Sequence, residues 1–394
     1  MRVGQIVAQV LGRCLPWVHA ARMAALLAVV DAVIAAGRLS LSAVGRSVDS
    51  KARPKHSIKR VDRLLGNSSL FAERWIVFGA IATWVIGDDR RPVILVDWTK
   101  VAEGFHGLVA ALPVGGRALP LYIEVHPERR LGRAKVQAKF LANLEMVLPE
   151  GCRPIIVTDA GFHGPFFREI ARRGWDFLGR IRGTAKVKPD CGGAAMTKQD
   201  LYDRATPNPR DLDGITLYTS AKKVDARLVL VRSRRRPGRQ AISSSATEAA
   251  KRESGRDPWL LATSLRDVTP EGIVATYALR MKIEETFRDT KNHRFGWSLR
   301  HVRCTTADRL TILMLVSSLA FLGVVLLGFL AEQRGLHRAY QANTVHRRVL
   351  SFFVLGCALL RRGDQRQVLT PIHFRAARAD FRHEIRALGP SFVS

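Results

Sequence analysis

Residues 92–98 read PVILVDW, and this run decides how the middle of the chain is interpreted. Four aliphatic residues in a row, directly after a proline, favour a short buried strand that ends in Asp97. Two further segments, 107–113 and 118–125, also have the composition of strands. The glycine pair between them predicts a hairpin turn, because glycine adopts the positive φ angles that tight hairpins require. The sequence therefore predicts three neighbouring strands.

A second buried run, PIIVTD at 154–159, comes after a predicted helix and ends in Asp159. A helix over 165–173 and a strand over 175–181 are predicted to follow. Three strands, a helix and a fourth strand is the order of a ribonuclease-H-like core, in which the first and fourth strands lie side by side. Asp97 and Asp159 are then expected to meet at one edge of the sheet. Bound divalent cations would relieve the repulsion between the two carboxylates.

The segment Thr269–Lys291, TPEGIVATYALRMKIEETFRDTK, is predicted to be one helix. Thr269 suits the N-cap, Pro270 suits the first helical position, and no helix breaker follows Gly272. At about 100° per residue, one face of this helix carries an aromatic hydroxyl, two cations and a carboxylate. The residues of that face are Tyr277, Arg280, Glu284 and Lys291, with Met281 and Arg288 close beside it.

From the residues alone, two interpretations of this face stay open. One is a solvated surface with ion pairs between residues four apart. The other is a metal-binding acid, Glu284, flanked by contacts to phosphate. Asp97 and Asp159 favour the second interpretation, because a third acid would complete a metal site with them. Glu285 lies about 80° from Tyr277 around the helix, which makes Glu284 the natural candidate.

These motifs resemble those of the DDE transposases of the bacterial insertion-sequence-four family. That family's signature is Tyr, two residues, Arg, three residues, Glu, six residues and Lys, and it is similar to the spacing of Tyr277, Arg280, Glu284 and Lys291. LVDWT around Asp97 and VTDAGF around Asp159 look like the family's two aspartate motifs. The resemblance implies an α/β fold, a ribonuclease-H-like mixed sheet with flanking helices that is interrupted by a β-rich insertion.

The resemblance also implies an activity. Two Mg²⁺ ions per active site, for which Mn²⁺ can substitute, are expected to be held by Asp97, Asp159 and Glu284. A homodimer would act on double-stranded DNA, namely terminal inverted repeats and target DNA. It would nick one strand, form and reopen a DNA hairpin, and join the 3′ ends to the target. The remaining signature residues would hold phosphates near the scissile bond.

The charge balance of the chain agrees with a polyanionic partner. Lys and Arg number 63 against 34 Asp and Glu, which gives a net charge of +29. Such an excess points to nucleic acid or an acidic membrane surface. The five cysteines form no CxxC motif, which argues against a zinc site or a disulfide framework and suits a reducing cytoplasm. The expected location is the cytoplasm of a bacterium, at the nucleoid.

Five regions are predicted along the chain. They are a helical DNA-binding domain over 1–91, the first part of the ribonuclease-H-like core over 92–183, a β-rich insertion over 184–265, the second part of the core with the signature helix over 266–345, and a basic helical region over 346–394. In the first region, a short helix near 39–44, a turn at Pro54 and a helix ending at Leu65 resemble a helix-turn-helix. The second helix would present to a DNA groove the side chains of Lys55, Lys59, Arg60 and Arg63. A basic amphipathic helix without that role is the alternative.

The insertion is predicted to contain two strands over 214–232 and a third at PWLLATSL, 258–265. Residues 233–256 read as a basic, serine-rich loop. The family resemblance suggests that Trp259 stacks beneath a flipped base while Met281 probes the vacated space. Both residues also suit ordinary packing in the core.

The run Leu310–Ala331 contains no charged residue, and by length alone it is a candidate for a transmembrane helix. Its two serines, its two glycines and its place directly after the acid helix favour a buried core helix instead. No membrane partner is therefore expected. Three other functions stay open: a nuclease that cuts without joining, a DNA-binding relative without catalysis, and a membrane-anchored basic protein.

Overall fold

The computed structural model describes residues 3–12, 16–182, 186–189, 194–219, 222–232, 257–292, 297–299, 302, 304–364 and 371–392. The chain forms two compact units. Unit 1 comprises residues 1–152 and 281–389, and unit 2 comprises residues 153–280 and 390–394. The loop predicted over 233–256 lies outside the described residues.

The N-terminal region of unit 1 is helical among its described residues, as predicted. Its helices are α1 (Val3–Leu11), α2 (Ala20–Ala36), α3 (Leu41–Arg46), α4 (Pro54–Leu65) and α5 (Ser68–Ile86). Polar caps start two of them, because Ser40 Oγ accepts from the Ala43 amide before α3 and Asn67 Oδ1 accepts from the Leu70 amide before α5. Gly37, with φ 58°, ends α2 in the left-handed conformation.

Helices α3 and α4 pack closely against each other. A Cβ atom added to Gly45 would lie 2.6 Å from Ile58 Cα, so only glycine permits this approach. Pro54 was predicted in the turn but is the first residue of α4, where its missing N–H leaves no hydrogen bond unmade. The side chains that α4 exposes include Lys55, Lys59, Arg60 and Arg63. Their contact with DNA stays a prediction.

An antiparallel meander forms the sheet of unit 1. Its strands are β1 (Val93–Ala102), β2 (Phe105–Val114) and β3 (Arg117–Pro127), followed by helix α6 (Ala134–Val147). The predicted hairpin glycines have φ angles of 49° at Gly115 and 89° at Gly116. The prediction that β1 ends at Asp97 is wrong. Pairing with β2 carries the strand on to Ala102, and Asp97 lies opposite Val109 in the middle of the ladder.

Unit 2 begins with β4 (Ile155–Thr158), α7 (Gly164–Arg172) and β5 (Asp176–Arg180). It continues through β6 (Lys186–Pro189), α8 (Lys198–Tyr202), β7 (Arg210–Asp211), β8 (Ile215–Thr219), β9 (Lys222–Val224), β10 (Arg227–Val231) and β11 (Trp259–Thr263). β4 and β5 are parallel, and β11, β10 and β7 extend from β5 in antiparallel order. β6, β8 and β9 form a separate antiparallel sheet. The described residues of 214–232 thus form three strands rather than the two predicted, since one strand ends at Val224 and the next begins at Arg227.

The segment 269–291 is not the single helix that the sequence predicted. It forms α9 (Pro270–Ala278) and α10 (Met281–Lys291), with a turn at Leu279 and Arg280 between them. α9 belongs to unit 2 and α10 to unit 1. The four signature residues therefore do not share one helical face, and that prediction is wrong.

Hydrogen bonds at the end of α9 accompany the break. The Leu279 amide donates to the Thr276 carbonyl and the Arg280 amide donates to the Tyr277 carbonyl, at 3.2 and 3.0 Å. Bonds to the residue three positions back tighten the final turn of a helix. Thr276 Oγ1 also donates to the Gly272 carbonyl at 2.7 Å, a contact that bends helices.

Helix α11 (Ala307–Gln333) is the core helix of unit 1. Every residue from Leu310 to Ala331 is buried, and α11 packs against α1, α2 and β3. α11 and α5 are both long and apolar enough to cross a membrane, but the apolar window of α11 is wholly buried inside the protein. This burial confirms the prediction of a core helix.

The C-terminal part of unit 1 contains a 3₁₀ turn (Leu336–Tyr340) and the helices α12 (Phe352–Arg362) and α13 (Pro371–Arg386). Arg347 and Arg348 were predicted to be helical but lie in the irregular segment before α12. α12 packs against α11. Taken together, the mixed strands and flanking helices fit a ribonuclease-H-like fold.

Candidate active site

Asp97 is held within β1 and is only 9% exposed. Its Oδ1 accepts a hydrogen bond of 2.7 Å from the backbone amide of Trp98. Successive residues of a strand point to opposite faces, so Trp98 lies on the other side of the sheet. There its ring meets the edge of the His126 ring, with 5.9 Å between the centroids. Both contacts restrict the local conformation of the strand around Asp97.

Glu284 lies in the first turn of α10 and is half-buried. α10 packs against β1, β2 and β3, and the Thr286 side chain forms hydrogen bonds to the backbone of β3. The Ala118 amide donates to Thr286 Oγ1 at 2.8 Å, and Thr286 Oγ1 donates to the Ala118 carbonyl at 3.0 Å. Asp97 and Glu284 thus belong to packed elements of the same unit.

Glu285 is occupied by ion pairs. Its Oε2 lies 3.3 Å from Arg117 Nη1 and 3.5 Å from Lys282 Nζ. Arg117 Nε also donates to Asp289 Oδ2 at 2.6 Å, one helical turn further along α10. These pairs join Glu285 to Arg117 on β3 and to Lys282 on its own helix.

Asp159 follows β4 in unit 2, as predicted, and is half-buried. Its Oδ1 accepts a hydrogen bond of 2.8 Å from the Gly161 amide, which stabilises the turn after the strand. Its charge also acts on Tyr277, a buried residue of α9 that is 4% exposed.

Tyr277 marks a cationic environment beside Asp159. Burial raises the pKa of the Tyr277 hydroxyl, and the charges of Arg280 and Arg180 act against that rise while Asp159 adds to it. A raised pKa keeps the phenol protonated, so that it can donate a hydrogen bond at neutral pH. The charges of Asp159, Arg180 and Arg280 therefore all act on one tyrosine hydroxyl within unit 2.

The other candidates are placed as follows. Trp259, the first residue of β11, is half-buried and packs edge-on against Tyr277 with 5.0 Å between the ring centroids. Met281, the first residue of α10, is 41% exposed and so is not a core residue. In the last turns of α10, Arg288 is exposed, and Lys291 Nζ lies 5.8 Å from the Phe287 ring centroid.

A comparison with known protein families identifies the chain. Residues 88–322, more than half of its 394 residues, match the family model described as Transposase DDE domain. The chain belongs to the DDE transposase family. No curated protein matches it. The matched region contains Asp97, Asp159 and Glu284, and membership of the family implies that the protein acts on DNA.

DDE transposases generally use divalent metal ions, and the three acids have suitable chemistry, because carboxylate oxygens are the ligands that Mg²⁺ prefers. Within the described part of the chain, no three His, Cys, Asp or Glu side chains form a group that could hold a metal ion. Asp97 and Glu284 lie in unit 1 and Asp159 lies in unit 2. Their convergence on a metal ion stays a prediction.

Sequence reasoning missed two arginines of the transposase, Arg180 at the end of β5 and Arg182 beyond it. Burial lowers the pKa of Arg180, which is 9% exposed, and the charge of Arg182 lowers it further. Arg180 Nη2 donates to the carbonyls of Asp257 and Pro258 at 3.0 and 3.2 Å. A signal was present in the sequence FLGRIR, because arginines are rarely buried without a partner.

Proposed function

We propose that this transposase excises a DNA element by metal-dependent nicking, hairpin formation and hairpin resolution, and then joins the freed 3′ ends to target DNA. The observation that carries the proposal is the extent of the family match. It spans residues 88–322 and so includes both aspartates, Glu284 and the whole signature segment. A chain that had kept only a DNA-binding function would not require these acids.

In this proposal Asp97, Asp159 and Glu284 bind Mg²⁺, or Mn²⁺ in its place. Bound divalent cations supply an activated water and neutralise the charge that develops on the leaving oxygen. Asp97 keeps a fixed orientation because the Trp98 amide holds its Oδ1. Glu284 keeps its position because Thr286, two residues along α10, is bonded to the backbone of β3.

The cations of unit 2 bind the phosphate at the cleavage point. Arg180 and Arg280 supply positive charge beside Asp159, and the protonated Tyr277 hydroxyl donates a hydrogen bond. Arginine side chains are suited to binding phosphate, and the positive charge of Arg180 and Arg280 at one tyrosine supports a phosphate at this place. Lys291, in the last turn of α10, also holds a phosphate near the scissile bond, and Arg288 contacts the DNA beside it.

Trp259 and Met281 take part in handling the hairpin. Trp259 is only half-buried, and its indole has the aromatic surface on which a flipped base can stack. Met281 is 41% exposed and has a flexible apolar side chain that suits the space left by that base.

The finer identity is also part of the proposal. The spacing of Tyr277, Arg280, Glu284 and Lys291 supports membership of the insertion-sequence-four branch. Segments such as KARPKHSIKRVDRLLGN are similar to the cut-and-paste transposase of the tetracycline-resistance transposon. A homodimer would synapse two terminal repeats in the bacterial cytoplasm, with α4 contacting the DNA of each end.

A cleavage and joining assay tests this function. The DNA on either side of the coding region is searched for inverted repeats, and a labelled fragment that carries them is incubated with protein and Mg²⁺. We expect hairpin ends and then joined products, and neither product with Asp97→Ala. Cleavage without hairpins or joining would identify a nuclease instead. Binding of the repeat without any cleavage would identify a catalytically inactive relative.

A further inference from the structure

The C-terminal segment that precedes α12 closes over the β2–β3 turn. The Gly115 carbonyl accepts hydrogen bonds from the Phe352 amide at 3.1 Å and from Arg348 Nη1 at 3.2 Å. A side chain at Gly115 would overlap the Phe352 ring, and a Cβ atom at Gly116 would lie 3.3 Å from Ser351 Cβ. The turn therefore has the two glycines that this close approach requires.

Arg117 is the first residue after that turn, and it connects the turn to α10. Its Nη1 donates to the Gly116 carbonyl at 2.8 Å and lies 3.3 Å from Glu285 Oε2. Its Nε donates to Asp289 Oδ2 at 2.6 Å. The Arg117 side chain is 20% exposed and the Asp289 side chain 14%, so solvent screens their ion pair only in part.

The acids that Arg117 contacts would repel each other without it. Glu285 and Asp289 are four residues apart on α10, and like charges at this spacing destabilise a helix. Glu284 adds a third negative charge next to Glu285. One guanidinium that reaches both partners offsets this repulsion and also sets the rotation of α10 against the sheet.

We infer that residues 348–352 and Arg117 form a clamp that fixes α10, and with it Glu284, in the orientation that metal binding requires. Arg117 is a positioning residue, since it acts through α10 and not on the DNA. The inference rests on the proposed function, in which Glu284 is a metal ligand. It also gives the C-terminal segment a role in the active site of its own chain.

The test compares three variants. Arg117→Ala removes the ion pairs between the turn and α10. Arg117→Lys keeps the positive charge but loses the forked geometry of the guanidinium. Arg22→Ala is the matched control. Arg22 pairs with Glu73 in unit 1, with Nε 2.9 Å from Glu73 Oε2 and a side-chain exposure of 27%. This pair joins α2 to α5 and has a burial similar to that of the Arg117 pairs.

Mn²⁺ binding is measured by titration into the complex with pre-cleaved terminal-repeat DNA, and amide hydrogen exchange is measured over α10. For Arg117→Ala we expect metal binding to weaken about 10–100-fold, as for other partners that orient a metal ligand. We also expect faster exchange in α10 alone and unchanged affinity for DNA. Arg117→Lys is expected to fall between this variant and the wild type, and Arg22→Ala to match the wild type.

Two results would overturn the clamp. One is Mn²⁺ binding and α10 exchange in Arg117→Ala that equal those of the wild type. The other is an equal loss in Arg117→Ala and Arg22→Ala, which would indicate general destabilisation. A failure of the proposed function can be told apart from a failure of the clamp. Wild-type protein that neither cuts nor joins the repeat DNA would contradict the function. Hydrogen exchange in α10 would still test the clamp.

Discussion

Glu284 and Glu285 are adjacent residues on α10, and we propose that Glu284 is the acid of the site while Glu285 holds the helix. Glu285 pairs with Arg117 and Lys282, at 3.3 and 3.5 Å. The sequence favoured Glu284 because, on an ideal helix, Glu285 lies about 80° around the axis from Tyr277. In the structure Glu285 connects α10 to β3 through Arg117, and the assignment of Glu284 stays a proposal.

We predict that Glu284→Gln abolishes cleavage, whereas Glu285→Gln lowers the cleavage rate by less than about tenfold. The first change removes a charged metal ligand. The second weakens one ion pair of Arg117 and leaves its bond to Asp289. Rates are measured on terminal-repeat DNA at saturating Mg²⁺. Equal loss of activity in both variants would contradict the assignment.

The phosphate-binding candidates show where sequence reasoning was incomplete. Arg180 ends a strand that composition marks as buried, Arg182 lies just beyond it, and neither belongs to a recognised motif. Their importance follows from their neighbours, since Tyr277 and Asp159 come close only when β4, β5 and α9 are packed. A single sequence does not contain that proximity.

Glu124 is a buried carboxylate on β3, on the face opposite Asp97. Its oxygens accept hydrogen bonds from the Tyr122 hydroxyl at 2.7 Å and the Asn143 amide at 2.6 Å, and one lies 2.9 Å from His126 Nε2. Burial acts to raise the pKa of Glu124, but the bonds from His126, Asn143 and Tyr122 outweigh it and leave the pKa below the ordinary 4.5.

The lowered pKa of Glu124 predicts a pH effect on stability. A carboxyl group with a folded-state pKa below its unfolded value contributes stability above the unfolded pKa, and this contribution is lost as the pH falls through the folded pKa. The difference in unfolding free energy between wild type and Glu124→Gln should therefore be constant at neutral pH and shrink below pH 4.5. Urea unfolding across this range measures it. A difference in unfolding free energy that stays constant at acid pH would contradict the prediction.

At the scale of elements, apolar runs predicted the strands and helices well, and their ends less well. β1 passes Asp97 because its ladder with β2 continues to Ala102, and that pairing overrides the polar residues in the strand. The break between α9 and α10 was not predictable, because the residues around Leu279 are ordinary helix formers. At the break the Leu279 and Arg280 amides each donate to the carbonyl three residues back, a pairing that composition does not reveal.

Packing of α11 against α12 depends on Gly328. A Cβ atom there would overlap the Phe352 carbonyl oxygen, so the two helices could not keep their separation. We predict that Gly328→Ala lowers the free energy of unfolding by about 1–3 kcal/mol. Gly79→Ala in α5 is the control, since its Cβ atom would meet only the Val147 carbonyl oxygen at 3.8 Å. It should raise stability by about 0.5–1 kcal/mol through better helix propensity. Thermal unfolding of both variants measures these changes. A Gly328→Ala protein as stable as the wild type would refute the prediction.

At the scale of the whole molecule, the net charge of +29 favours DNA contacts that extend beyond the catalytic residues. α4 exposes four cations and packs through its apolar face, which is the arrangement of a helix that lies against DNA. Charge and composition predicted this surface correctly as exposed. They do not identify the DNA sequence that it recognises.

We predict that replacing Lys55, Lys59, Arg60 and Arg63 by Gln weakens binding to terminal-repeat DNA. The negative slope of log K against log salt concentration should become shallower by about 0.9 for each phosphate that these side chains neutralise in the wild type. Arg266→Gln is the control, because Arg266 in unit 2 already pairs with Asp225 at 3.0 Å. Binding titrations at several salt concentrations measure both slopes. An unchanged slope in the fourfold variant would assign DNA binding to another surface.

Asp97, Asp159 and Glu284 are distributed over both units, and we propose that they act together as one metal-dependent catalytic site. The most direct test replaces each acid singly by Ala and measures Mg²⁺-dependent cleavage of terminal-repeat DNA, with binding of the same DNA measured in parallel. We predict that each of the three variants binds this DNA as the wild type does and cuts none of it. Cleavage at the wild-type rate by any one of them would contradict the proposal.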